Sequence, residues 1–381
     1  MRYRDIKLVE NRIFLKEGAR IDHAEDIVFW EGSRGAIRAL ESLKSLEQGK
    51  HTDVTIKWDG SPAIIFGRNE SGQFVFTDKS GFVKSGGVGR TTSPEDLEQE
   101  LLGRSGGKNR EDPGRIDFAK KMGVAFADFE KTVPKDFRGY LKGDLLYYNT
   151  PSVQNKNYVF KPNIVEYAVD VESDLGKRIG QSKAGVVVHR FVDEEGNESA
   201  VPKGINFQGT DVLIVPSVTV QKSAQIDDED INQLKATVSK NAAAIDKLLN
   251  TADLVALKIS DFAKVLYTYT NSKVDTGLDN LGADFFDWMA GSKLSAAKQK
   301  NIATHIQNNQ AGFDAIWQVV SGIMQIKDKV IAQFDSHDAT VKANIPGQGA
   351  GGEGYVLAHP DGDVKLVPRE FFTKANRAVQ R

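Results

Sequence analysis

The sequence predicts an α+β fold, an antiparallel-rich β core interrupted by an inserted all-α module. Three observations carry this. From about residue 54 to 215, strand-type segments follow one another with few helices between them, which argues against a doubly wound sheet. From about Asp227 to Ala343 the pattern changes to apolar residues at i, i+3 and i+4 spacing. A hairpin pattern then returns at Glu353–Ala358 and Val364–Val367. A lone hairpin is marginal in water, so the returning strands must close the earlier β core. The expected domains are therefore 1–225 (core, first part), 226–345 (helical insert) and 346–381 (closing hairpin).

In chain order, short strands are expected at Ile6–Val9 and Arg12–Leu15. A helix follows from about Ser33 to Leu46, with Ile37, Leu40, Leu43 and Leu46 on one face. The segment Val54–Lys57 reads as a strand, Asp59-Gly60 as a tight turn and Ala63–Phe66 as a second strand. Phe74 and Phe76 alternate with polar positions, predicting one buried face. Residues 84–115 are rich in glycine and mixed charge and read as mobile loop around a short helix at Pro94–Leu102. A further helix is expected over Ile116–Thr132. Strands follow at Tyr140–Tyr148, Tyr158–Phe160, Ile164–Val171, Gly185–Phe191 and Val212–Val215. In the helical block, Leu248, Leu249, Ala252 and Val255, and later Phe313, Ile316, Val319, Val320 and Ile323, form apolar stripes.

Composition narrows the function. Fifty basic against 52 acidic side chains give a net charge of −2, so a polyanion has to be held by a local patch. Cysteine is absent, which excludes disulfides, thiolate zinc sites and a cysteine nucleophile. No apolar run approaches the length of a membrane span and no secretory h-region opens the chain. The expectation is a cytoplasmic protein without a membrane partner. The six histidines (His23, His51, His189, His305, His337, His359) show no metal-ligand spacing. Gly347–Gly352 contains G-x-G-x-x-G, but a strand follows it rather than a helix, so it reads as a flexible linker.

The chemistry-bearing stretch is Ile56-Lys57-Trp58-Asp59-Gly60, a lysine at a strand end just before a tight turn. Lys79-Ser80-Gly81, Gly143-Asp144, Tyr167 inside Val165–Val169, Glu353-Gly354-Tyr355-Val356 and Lys365-Leu366-Val367 follow in that order. This ordered set resembles the covalent nucleotidyltransferases: ATP-dependent DNA ligases, RNA ligases and mRNA capping enzymes, with their ATP-grasp-like ligase core. The resemblance covers roughly residues 50–220 and 350–370. It implies that Lys57 becomes joined to a nucleoside monophosphate and that Ile56, Asp59, Gly60, Lys79, Asp144, Tyr167, Glu353, Lys365 and Arg369 line the ATP site. It also implies that Glu353 and Asp144 serve Mg²⁺. The family ordinarily has glutamate where Asp144 stands and a second lysine where Val367 stands; Arg369 is the candidate replacement for the latter. Tyr167 is either a core aromatic or the platform that stacks on the purine. Lys79 and Lys365 are either surface lysines or phosphate ligands.

Elementary chemistry favours the same residues. A lysine attacks phosphorus only as the neutral amine, although a free lysine has a pKa of about 10.4, so cations nearby are needed. Lys365, Lys79 and a Mg²⁺ ion held by carboxylate oxygen would supply that charge and stabilise the attacked phosphate. The expected activity is an ATP-dependent polynucleotide ligase of RNA-ligase type, joining 5′-phosphate and 3′-hydroxyl ends of RNA or a nicked duplex. Only 16 residues follow Lys365, leaving no room there for the barrel that DNA ligases and capping enzymes carry. Two alternatives stay open: transfer to another acceptor, or a degenerate scaffold whose helical insert binds a protein partner. The insert lies within the arginine-free stretch between Arg190 and Arg369 and is poorly suited to grip phosphates, whereas Lys84, Arg90, Arg104, Lys108 and Arg110 are better placed for a polynucleotide. The overall pattern is similar to that of tailed-phage proteins with this motif set, implying a host cytoplasm.

Overall fold

The computed structural model describes residues 22–48, 54–84, 89–199, 201–202, 204–215, 220, 223–278, 280–335, 341–347, 349–357 and 363–379. The strands expected at Ile6–Val9 and Arg12–Leu15 lie outside the described residues. The fold is mixed α+β, and its described residues pack into two compact units, each with its own core.

The first unit draws on Trp58–Ser217 and Asp338–Gly352. Its larger sheet has the strand order Glu198–Ser199, Ala184–Val192, Gly139–Tyr147, Ala63–Arg68 and Phe74–Asp78, all antiparallel. Val212–Ile214 adds to Ala184–Val192 in parallel. One face of this sheet, with Ile64, Phe66, Phe74, Phe76 and Leu141, is packed by two helices through Leu97, Leu101, Met122, Phe126 and Phe129. Those helices, Pro94–Gly103 and Pro113–Thr132, each begin with proline behind a capping side chain. Ser93 Oγ accepts from the Asp96 N–H at 3.1 Å, and Asp112 Oδ1 accepts from Gly114 at 2.8 Å. The opposite face is also buried, by Ile65, Val75, Phe82, Tyr140 and Val192, so the expected single buried face of the Phe74–Phe76 strand is corrected to two. The short helix expected at Pro94–Leu102 is present as Pro94–Gly103. Of the flanking stretch read as loop, Ser105–Arg110 forms a short 3-10 segment interrupted by left-handed Gly106 and Gly107.

The second sheet of this unit is an antiparallel array of Gly349–Ala350, Val341–Ile345, Glu166–Asp170, Asn157–Phe160 and Ser152–Gln154. Two expectations change here. Residues 341–345 were assigned to the helical insert, but Val341, Ala343 and Ile345 alternate at period two and pair with the 166–170 strand, Ala343 opposite Tyr167. The glycine stretch read as a linker is instead tied to that strand by Asn344–Ala350 pairing and by Gly351 N–H donating to Ala343 O at 3.0 Å.

The second unit draws on Arg20–Lys57, Val218–His337 and Glu353–Arg381. Its four-stranded sheet runs Asp22–His23, Val364–Leu366, Tyr355–Leu357, Val54–Ile56. The returning hairpin was expected to close the earlier β core; it pairs instead within this separate sheet, Tyr355–Leu357 lying antiparallel to Val54–Ile56, the strand just before Lys57. The helical block was expected to be a domain of its own. It shares one core with this sheet and with the Ile27–Ser45 helix: Leu40, Leu43, Val54, Ile245, Leu266, Ile316, Ile323, Tyr355, Val364 and Leu366 all belong to it. Amphipathic helices bury a stripe against whatever apolar surface is nearest, and each such Leu, Ile or Phe contributes about 1.5–3 kcal/mol when fully buried.

The Ile27–Ser45 helix starts six residues before the expected Ser33 and breaks at Gly32, where φ is +64°. Asp246, from the Asp228–Leu248 helix, accepts from Ser33 N–H at 2.7 Å and Ser33 Oγ at 2.8 Å. A Cβ at position 32 would stand 2.4 Å from Asp246 Oδ1, so glycine is required by both the backbone and the neighbour.

Candidate functional site

The second unit collects Lys57, Glu353 and Lys365 on one sheet. Thr55 pairs with Val356, Val356 with Lys365, and Lys365 with His23. Side chains alternate along a strand, so these four share a face, and Lys57, two residues beyond Thr55, shares it too. The other face, with Val54, Tyr355, Leu357, Val364 and Leu366, is sealed in the hydrophobic core. The Lys57 N–H donates to Gly354 O at 2.9 Å, continuing the ladder one residue past the strand. Gly354 sits at φ +112°, and a Cβ there would lie 2.1 Å from Leu366 O; only glycine fits between Glu353 and Tyr355. Glu353 is thereby aimed at Lys57, and the two form an ion pair with side chains only 21% and 15% exposed.

Not every predicted residue joins this group. The Ile56 side chain packs into the helical core on the face opposite Lys57, so it cannot touch a nucleotide there. Arg369 is 1% exposed, ion-paired to Asp26 and 3.6 Å from Glu25 Oε1. It opens the Arg369–Val379 helix after Pro368 and turns into the interior, away from the face that carries Lys57, so the ligand role expected of it is corrected to an internal ion pair.

The remaining predicted residues belong to the first unit. Asp59 is buried: Oδ2 accepts from the backbone N–H groups of Ile164 (2.7 Å) and Val165 (2.9 Å), and Oδ1 accepts from Asn163 Nδ2 (2.8 Å). Its own N–H donates to Tyr167 Oη at 2.6 Å. Asp59 therefore staples the turn rather than binding a ligand. Tyr167 is fully buried, with its ring 4.7 Å from Trp58 and 5.7 Å from Phe160. That enclosure corrects the purine-stacking role; Tyr167 is a core aromatic. Gly60 lies against Asp144, where an added Cβ would approach Asp144 Cβ to 2.5 Å. Asp144 is half-buried and, as its place in an apolar strand demands, has a partner: His189 Nε2 at 2.9 Å. Lys79 is exposed at the start of the short Lys79–Phe82 helix, whose cap Asp78 also binds Arg104 at 2.9 Å.

Replacing Asp59 with alanine strands two backbone N–H groups, and the expected cost is about 2–4 kcal/mol, read from the urea midpoint of the full chain. Asp59→Asn, which keeps one acceptor, is expected to lose less.

The basic residues assigned to a polynucleotide are largely committed to internal pairs. Lys84 binds Glu100 at 2.8 Å, Arg90 binds Glu194 at 2.9 Å and stacks on Phe82, and Arg104 binds Asp78.

Sequence reasoning missed His23 and a buried charge cluster behind it. Lys327 and Glu25 pair at 2.8 Å with both side chains 0% exposed, and Arg369 joins Glu25 to Asp26. Burial, then the cations Arg369, Lys327, Lys365 and Lys57, hold His23 well below the ordinary histidine range. Burial pushes Asp26 up to about 6 despite Arg369. Burial also penalises the Glu25 carboxylate, but Lys327 and Arg369 outweigh it and keep its pKa low. The only available signal was a Glu25-Asp26 pair ahead of an apolar helix.

A family model described as a family of unknown function, DUF6267, matches residues 19–381. The chain belongs to that family. No curated protein and no solved structure matches the chain. Among the described residues, no helix is long and apolar enough to cross a membrane, and no group of three or more His, Asp or Glu side chains is placed to hold a metal.

Proposed function

We propose that the protein is a covalent nucleotidyltransferase that uses Lys57 as nucleophile and ATP as substrate. The observation that carries this is the meeting of Lys57, Glu353 and Lys365 on one face of one sheet, from strands about 300 residues apart in the chain. The Lys57 amine attacks the α-phosphorus, a P–N bond forms, the bond to pyrophosphate breaks and the amine proton leaves to solvent. A 5′-phosphate oxygen of a polynucleotide then displaces the lysine, and a 3′-hydroxyl finally displaces AMP to seal the strand. Lys57 must first separate from Glu353, since an ammonium has no lone pair to attack with. Lys365, one strand beyond Val356, is placed to hold phosphate charge as the pyrophosphate leaves.

Glu353 offers one carboxylate near Lys57, and no three-ligand cage accompanies it among the described residues. That donor set suits a Mg²⁺ ion that arrives on the triphosphate and takes one protein oxygen, more than a resident metal. When bound, such an ion neutralises phosphate charge.

Incubation with each α-³²P nucleoside triphosphate tests the reading. The expected result is label on the protein from one nucleotide, ATP in this proposal, chased onto a 5′-phosphorylated RNA when that is added. A degenerate scaffold is the second reading, favoured by the burial of Tyr167 and Arg369; it predicts no label from any nucleotide.

A further inference from the structure

We infer that His23 forms the far end of the same anion-binding face and takes up a proton when a polyphosphate binds there. The inference rests on the reading that Lys57 and Lys365 receive a nucleotide's phosphates. Across the sheet the order is Val54–Ile56, Tyr355–Leu357, Val364–Leu366, Asp22–His23, with His23 directly opposite Lys365. A phosphate chain starting at Lys57 and reaching Lys365 therefore points toward the strand of His23, neighbouring strands being about 4.8 Å apart.

The surroundings of His23 are mostly cationic. Lys365 flanks it on the paired strand, Lys57 lies on the shared face, Lys327 comes from the Gln310–Asp335 helix and Arg369 from the Arg369–Val379 helix. The acids facing it, Glu25 and Asp26 on the next turn, are already committed to Lys327 and Arg369. Asp328, beside Lys327, is pushed up to about 6 by burial, so its negative charge is incomplete below neutral pH. His23 is thus kept neutral. Its Nδ1 is buried and makes no hydrogen bond, with Glu25 Oε1 at 3.9 Å. A polyphosphate on Lys57 and Lys365 offsets two of the fields that expel the proton. The imidazole then binds a proton from solvent, donates one N–H to phosphate oxygen and turns the other toward Glu25.

The test is isothermal titration of the full chain with inorganic pyrophosphate from pH 6 to 8, in buffers of different ionisation enthalpy. The expected result is net proton uptake by the wild type beyond pyrophosphate's own, absent in His23→Gln. At pH 6 the wild type is expected to bind about tenfold more tightly than that variant, the two converging at pH 8. Equal proton uptake in the two proteins, no excess uptake in the wild type, or no pyrophosphate binding at all overturns the inference. If His23→Gln folds poorly, NMR titration of the His23 imidazole in the wild type takes its place: a His23 pKa that does not rise on adding pyrophosphate overturns the inference. Labelling of Lys57 separates the two readings: label retained with no proton linkage sinks only the role of His23, whereas absence of label sinks the nucleotidyltransferase reading itself.

Discussion

Alanine at position 57 is expected to lower covalent labelling by α-³²P ATP at least about a thousandfold, the scale of loss that follows removal of a nucleophile. Its folding should be nearly unaffected. The Lys57 side chain is partly exposed, and among the described residues its ion-pair partner is Glu353, itself close enough to solvent to be rehydrated. Unchanged thermal unfolding together with lost labelling would assign the effect to chemistry. Glu353→Gln probes the same pair from the other side. It frees Lys57 of its counter-charge and removes the carboxylate proposed for the metal, so labelling is expected to fall and to require higher Mg²⁺. Equal labelling of the Glu353→Gln and wild-type proteins at every Mg²⁺ concentration would remove Glu353 from the site.

Lys327→Met is expected to destabilise the second unit by about 3–5 kcal/mol, because it removes the cation paired to the buried Glu25 carboxylate and leaves Arg369, 3.6 Å away. Urea unfolding followed by circular dichroism measures this at neutral pH. The pH dependence has a definite sign. In the wild type the Glu25 pKa is depressed, so its contribution is present above the ordinary glutamate value of about 4.3 and fades as pH falls through the lower folded value. In the variant Glu25 loses its main cation while burial still raises its pKa, so acidification protonates it and relieves the penalty. The gap between the two proteins should therefore narrow on acidification. Glu25→Gln combined with Lys327→Met is expected to recover part of the loss, since no unpaired charge remains. A double variant no more stable than Lys327→Met alone would mean that packing, not charge, sets the cost.

The broad architecture was legible because it is written in periodicity: consecutive strands, a long helical texture, a returning hairpin. The insert's outer limit was not. Residues 341–345 are short and apolar enough to extend either pattern, and only their pairing with Glu166–Asp170 decides between them. The shared core of the second unit was hidden for a similar reason. An amphipathic stripe announces that it will be covered but not by what, and here the cover includes the strands beside Lys57.

The site divides along the same line. Lys57 and Glu353 were singled out because each stands in a short motif resembling those of the covalent nucleotidyltransferases, and the ion pair between them depends on the pairing of Val54–Ile56 with Tyr355–Leu357. Tyr167 was ambiguous because a ring destined for a core and a ring destined for a ligand occupy the same alternating position; Trp58 and Phe160 enclose it. Arg369 lies only four residues past Lys365, yet Pro368 ends the strand and a helix carries the guanidinium to Asp26, 343 residues away in sequence. Lys84, Arg90 and Arg104 looked available because their acids, Glu100, Glu194 and Asp78, sit 16, 104 and 26 positions away. His23 was invisible because strand register, which sets it opposite Lys365, leaves no trace in either segment alone.

The central claim is that one amine, presented at the edge of a small sheet, captures a nucleoside monophosphate. Tandem mass spectrometry of the purified full chain after incubation with ATP and Mg²⁺ addresses it most directly. The account predicts a single adenylyl adduct in phosphoramidate linkage on Lys57. A chain that gains no such mass, or that carries it on another lysine while Lys57 stays unmodified, would contradict it.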